Sequence, residues 1–215
     1  MKFYDIQLLN SGKYSEEQLE QNLALRPCWE NVRNQFCLRI PKGFEFLGLY
    51  KLNIKFGSFE NESFEGPSSN GVAIYKRDDY SFEEFMKLSE DYQNNRALFY
   101  IEDSLSNLCS RFKLDNDVSE TIRNIANDIR NECFEFKKPH KKTTKWHASR
   151  KVKALTELYF NKSGINASLN ITNKAGDTLS NHTITDSKDW DYTWYHLWKG
   201  YWNKNTFIIE NKAGE

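Results

Sequence analysis

Two hydrophobic periods share this chain, and they occupy different parts of it. Between residues 118 and 133, Ile122, Ile125, Ala126, Ile129 and Cys133 recur on one face of a helix. After Phe136 apolar and polar residues alternate instead, through 152–160, 165–171 and 183–185. Gly164 and Ala175-Gly176-Asp177 supply turns between these runs, and 206–210 predicts one further strand. Helices and strands gathered into separate groups argue for an α+β fold rather than alternating βα units. The expectation is helices mainly in the N-terminal two-thirds and an antiparallel sheet in the C-terminal third.

The N-terminal part reads as mixed. Residues 2–9 predict an opening strand with Tyr4, Ile6 and Leu8 on one face, and Ser15 with Gln18 predicts a capped helix ending near Leu25, before Pro27. Leu52, Ile54 and Phe56 alternate inward on a second strand, and 72–75 form a third. Residues 57–71, with Pro67 and three glutamates, read as an exposed loop. Ser81 and Glu84 form another capping box, followed by Phe82, Phe85, Met86 and Tyr92 at helical spacing. The short apolar run 97–101 predicts a buried strand, with a helix as the alternative for so short a run.

The loudest local feature is DWDYTWYHLWKGYWNKN, which spaces Trp190, Trp194, Trp198 and Trp202 four residues apart. Four is even, so on a strand all four rings share a face; on a helix they spread over about 120°. The polar residues sort more cleanly on the helix, and a strand of that length is unusual. The expectation is therefore a Trp-rich helix packed on the C-terminal sheet, mostly as core. Trp194 and Trp198 are the candidates to remain exposed as anchors, since Trp and Tyr dominate interface hot spots.

Formal net charge is zero, but it is unevenly spread. Residues 1–136 carry 16 Lys/Arg against 23 Asp/Glu, and residues 137–215 carry 14 against 7. The division predicts an acidic lobe over 1–136, a basic joint over 137–153, and a sheet-plus-helix region over 154–215, the whole being compatible with one continuous domain. Residues 137–153 hold eight Lys/Arg, two histidines and no acid. Within them Lys141, Lys142, Lys145, Trp146, His147, Arg150 and Lys151 make a candidate nucleic-acid contact, in which the cations neutralise phosphates and Trp146 stacks on a base.

Several classes of chemistry find no support. No run approaches the roughly 20 apolar residues of a membrane span, and the N-terminus fails as a signal peptide, so the expectation is a cytoplasmic protein with no membrane partner. Cys28, Cys37, Cys109 and Cys133 lack paired spacing and read as small buried hydrophobes, with no metal and no cofactor expected. Nucleotide-binding, zinc-hydrolase and serine-hydrolase motifs do not occur. His147-Ala-Ser149 and His182-Thr183 are loosely similar to the His-x-Ser/Thr pairs of two-histidine phosphoesterases, but Ile184 stands where the second pair needs a hydroxyl. No catalytic residues are assigned.

What is left is binding. In general texture the chain resembles bacterial immunity proteins, an analogy of class that no residue motif carries. It implies a non-enzymatic inhibitor that neutralises a toxin by covering its active surface. The acidic residues Asp78, Asp79, Glu83, Glu84, Glu90 and Asp91 would then face a basic toxin domain, by electrostatic complementarity. The alternative is a nucleic-acid-binding or phosphodiester-processing protein that uses the basic segment.

Overall fold

A computed structural model describes residues 1–11, 16–57, 59–162, 164–187 and 190–214. Helices and sheets are both present, and the class is α+β. The chain divides into two compact units, Met1–Phe134 and Glu135–Glu215. Residues 137–153 belong to the second of these, as strand and turn of its sheet.

The first unit carries β1 (Asp5–Asn10), α1 (Glu16–Arg39), β2 (Lys51–Phe56), β3 (Ser63–Glu65) and β4 (Val72–Arg77). It continues through α2 (Phe82–Met86), α3 (Glu90–Phe112) and α4 (Asn116–Asn131). Its sheet has the order β1-β2-β4-β3, with β1, β2 and β4 parallel and β3 antiparallel on the edge. Leu52, Ile54 and Phe56 are buried on β2, as their alternation predicts, and Ala73 and Tyr75 continue the same face on β4. Against that face pack Trp29, Val32 and Phe36 of α1 and the apolar stripes of α3 and α4.

Three expectations fail here for tertiary reasons. The first helix does not stop before Pro27 but continues to Arg39. Proline removes one backbone hydrogen bond, while burial of Trp29, Val32 and Phe36 beyond it offsets that loss. Its predicted cap, Ser15, lies outside the described residues. Residues 97–101 are not a strand but the middle of α3, where Ala97, Leu98, Ile101, Leu105 and Leu108 line one helical face. Five apolar residues are too few to separate the two periods. The predicted loop 57–71 holds the edge strand β3.

The second unit begins with β5 (Phe136–Pro139), a 3₁₀ turn (Lys141–Thr143) and β6 (Lys145–Trp146). Next come β7 (Val152–Asn161), β8 (Gly164–Asn173) and β9 (Thr178–Ser187), the predicted antiparallel strands. Both β5 and β6 pair with β7, so the chain leaves that edge at the 3₁₀ turn and returns to it. Helix α5 (Trp190–His196) packs on β8 and β9, with Thr193 buried and its hydroxyl 3.3 Å from that of Thr185. A hairpin of β10 (Lys199–Asn203) and β11 (Thr206–Glu210) follows.

That hairpin overturns the single Trp-rich helix. The helix ends at His196, Trp198 lies in the connection, and Trp202 sits on β10. Its turn is Lys204-Asn205, with Lys204 left-handed at φ 51°. Cys28 and Cys109 are core residues as expected, but Cys133 is exposed just past the end of α4.

Candidate contact faces on the two units

In the first unit the candidate acids follow β4 and open α2 and α3. Arg77, the last residue of β4, is only 3% exposed, and burying a guanidinium demands partners. Asp79 grips it with two hydrogen bonds, Nε to Oδ1 at 2.8 Å and Nη2 to Oδ2 at 2.7 Å. Asp103 pairs with Nη1 at 2.8 Å, and the Ser104 hydroxyl accepts from the same nitrogen at 2.9 Å. Hydrogen bonds from Arg77 hold the Asp79 carboxyl below the usual carboxylate range, against the cost of burial.

Two residues on, Ser81 caps α2 by accepting from the Glu84 N–H at 3.3 Å, which fixes the first turn containing Glu83 and Glu84. A pocket of about 140 Å³ opens there, lined by Asp79, Ser81, Glu84, Phe85, Leu88, Arg96 and Tyr100. Beneath it Trp29, Phe56, Tyr80, Phe85 and Tyr100 form a cluster of ring contacts with centroids 4.9–6.0 Å apart. The rigid floor of the pocket is therefore core packing carried to the surface.

Of the six predicted acids the pocket unites two, Asp79 and Glu84. Asp78 instead accepts from the Glu62 backbone N–H at 3.1 Å. Glu83, Glu90 and Asp91 are exposed in the first turns of α2 and α3 but do not line the pocket. Sequence reasoning missed Arg77, Arg96 and Tyr100. Arg77-Asp78-Asp79 at a strand end was the available signal for the first.

In the second unit the two features singled out separately, the basic segment and the tryptophans, come into contact at the β6 edge of the sheet. The 3₁₀ detour is stitched to Thr156 of β7. His140 N–H donates to the Thr156 carbonyl at 2.8 Å, the Thr156 hydroxyl donates to the Thr143 carbonyl at 2.9 Å, and the Thr156 N–H donates to the Thr144 hydroxyl at 3.1 Å. This anchors Thr143 in the interior and turns Lys141 and Lys142 outward. Burial, assisted by Lys142, pushes the His140 imidazole below its ordinary value. Its Nδ1 lies 2.7 Å from the Thr143 hydroxyl, and its ring meets that of Trp194 edge-on at 4.9 Å.

Onto this base the β10–β11 hairpin is seated. A Cβ at Gly200 would stand 2.8 Å from the Thr143 Cα and from the Phe207 ring, so only glycine permits the approach. The Trp202 indole N–H donates to the Lys145 carbonyl at 3.2 Å, and its ring packs on His147 and Phe207. His147 Nε2–H donates to the Lys204 carbonyl at 3.0 Å, which leaves Nδ1 to accept from the Ser149 hydroxyl at 2.8 Å. Nε2 of His147 thus holds the hairpin turn, and Nδ1 is bonded within the loop that follows β6. His182, on β9, lies 3.2 Å from the Ser180 hydroxyl.

Trp198 and Trp146 are different: they stay 44% and 49% exposed. The Lys142 ammonium lies 4.6 Å over the Trp198 ring, and the Lys153 ammonium 5.7 Å over that of Trp146. Lys141, Lys142, Lys145, Arg150, Lys151 and Lys153 have no carboxylate partner among the described residues. The nearest anion on the hairpin, Glu210, is engaged with the Tyr201 hydroxyl at 2.6 Å and Lys199 at 3.9 Å. Among the described residues no cluster of His, Cys, Asp and Glu could hold a metal ion. Among the described residues no helix is long and apolar enough to cross a membrane. No protein-family model, no curated protein and no solved structure matches the chain.

Proposed function

We propose that this chain is a non-enzymatic, cytoplasmic binding protein of the immunity type, which neutralises a bacterial toxin by covering its active surface with the acidic face of the first unit. The observation that carries the reading is the pocket beside β4. Its volume of about 140 Å³ falls below the roughly 300 Å³ at which small-molecule sites begin, and it suits one protruding side chain better than a metabolite. Glu84 in its wall, over the apolar floor of Phe85, Leu88 and Tyr100, favours the stem and charge of a lysine or arginine, while Asp79 is held by Arg77. Arg96 lines the same wall and adds a positive charge that leaves room for a single incoming cation.

Electrostatics at longer range points the same way. Glu83, Glu84 and Glu90 have no ion-pair partner among the described residues, and the first unit carries 16 Lys/Arg against 22 Asp/Glu. Uncompensated acid of this kind steers a basic partner and accelerates encounter. Exposed Tyr92 and Phe99 on α3 supply the aromatic contacts that acids alone lack. The test is co-expression with the toxin encoded beside the chain's own gene. Growth should be restored by the native chain and lost with Glu83→Lys/Glu84→Lys, while a folded native chain that gives no protection contradicts the proposal.

A further inference from the structure

We propose that the second unit carries a separate binding surface for single-stranded nucleic acid around the β6 edge of its sheet, built from two platforms, Trp198 with Lys142 and Trp146 with Lys153, together with Lys145 of β6. It rests on none of the first unit's residues and stands whether or not that unit binds a toxin.

The second unit holds 14 Lys/Arg against 8 Asp/Glu, and six of those cations, between Lys141 and Lys153, have no carboxylate partner among the described residues. A fold that holds a dense row of cations in place without counter-ions is preorganised for a polyanion, whose condensed ions are released on contact. The row is not a mobile tail. It is pinned by the hydrogen bonds of His140, Thr143 and Thr144 to Thr156, by Gly200 against Thr143, and by Trp202 on the Lys145 carbonyl.

The rings decide which polyanion. Single strands are held by aromatic platforms that take the faces of unpaired bases and by cations beside them that take the phosphates. That pairing occurs twice here, as Trp198 with Lys142 and as Trp146 with Lys153. With the lysines in place the two indoles are still 44% and 49% exposed. A duplex keeps its base faces stacked and has no use for these platforms. An acidic protein would neutralise the lysines but gain no stacking from the indoles.

Trp202 and His147 are positioning residues. The Trp202 indole N–H ties β10 to β6 and His147 Nε2–H ties the loop after β6 to the hairpin turn, which sets Trp198 beside the basic detour. His147 is bonded on both ring nitrogens, to the Lys204 carbonyl and within its own loop.

The experiment uses the full chain and an oligothymidine strand of about 20 nucleotides, followed by tryptophan quenching and fluorescence anisotropy. Binding should weaken with salt along a log–log slope of about −3 to −4, corresponding to about five phosphates. Trp146→Ala and Trp198→Ala should each weaken it roughly tenfold. Lys142→Glu/Lys145→Glu/Lys153→Glu should abolish it, with the unfolding midpoint showing that each variant is folded. Glu83→Lys/Glu84→Lys should leave the quenching in place, which separates this face from the first. Absence of binding by the folded native chain at low salt overturns the proposal. So does a duplex of equal length bound as tightly and indifferent to both Trp→Ala changes, or displacement of the strand by poly-glutamate at matched charge, which would mark an acidic protein as the occupant.

Discussion

The two units spend their aromatic residues in opposite ways. In the first, Trp29, Phe56 and Tyr100 are buried and pack ring against ring behind a parallel sheet, and only a small pocket brings that cluster to the surface. In the second, Trp146 and Trp198 lie on the outside beside lysines, and Trp202 is fastened by a hydrogen bond and ring contacts. Charge divides in the same manner, with acid on the first unit and unpaired cations on the second. A ring enclosed by apolar atoms holds up a fold, whereas a ring beside an uncompensated charge is free to hold a partner.

The most damaging change expected is Arg77→Ala in the first unit. It leaves Asp79 and Asp103 without their buried counter-charge and should cost about 3–5 kcal/mol in denaturant unfolding, with the second unit's signal unmoved. Gly200→Ala makes the reciprocal test. The new methyl meets Thr143 backbone, and a loss of about 1–3 kcal/mol is expected, confined to the second unit and accompanied by weaker oligonucleotide binding. Ser81→Ala removes the cap that sets Glu83 and Glu84, at about 1 kcal/mol in the first unit.

Smaller still is an acid sensitivity of the second unit. His140 titrates lower when folded than its ordinary value of 6.5, so below that pH the unfolded chain takes up a proton that the folded chain resists. Stability is therefore complete above pH 6.5 and declines as pH falls through the interval down to the folded value. Unfolding midpoints across that interval should fall for the native chain and stay flatter for His140→Asn.

Much of this fold could be read locally. The alternation of Leu52, Ile54 and Phe56, the stripe on α4 and the strands β7 and β8 repeat over several residues, and burial of one face is enough to fix them. What escaped was decided at a distance. Helix α1 passes Pro27 because of what it buries later, α3 absorbs residues 97–101 because its stripe extends to Leu108, and the tryptophan run breaks because Gly200 must approach Thr143. The same holds for the sites. The basic residues and the tryptophans were each visible, but Lys145 and Trp202 are 57 residues apart, and spacing carries no sign that one bonds the other. The acids were visible too, yet only the fold shows that Asp79 is committed to Arg77 while Glu84 remains open.

The difference between buried and presented rings is tested most directly in the double variant Trp146→Ala/Trp198→Ala, measured for unfolding and for oligothymidine binding on the same preparation. If these indoles are a contact surface, stability should hold within about 0.5 kcal/mol for each substitution while affinity collapses. A loss of several kcal/mol with binding retained would mean that they are core after all.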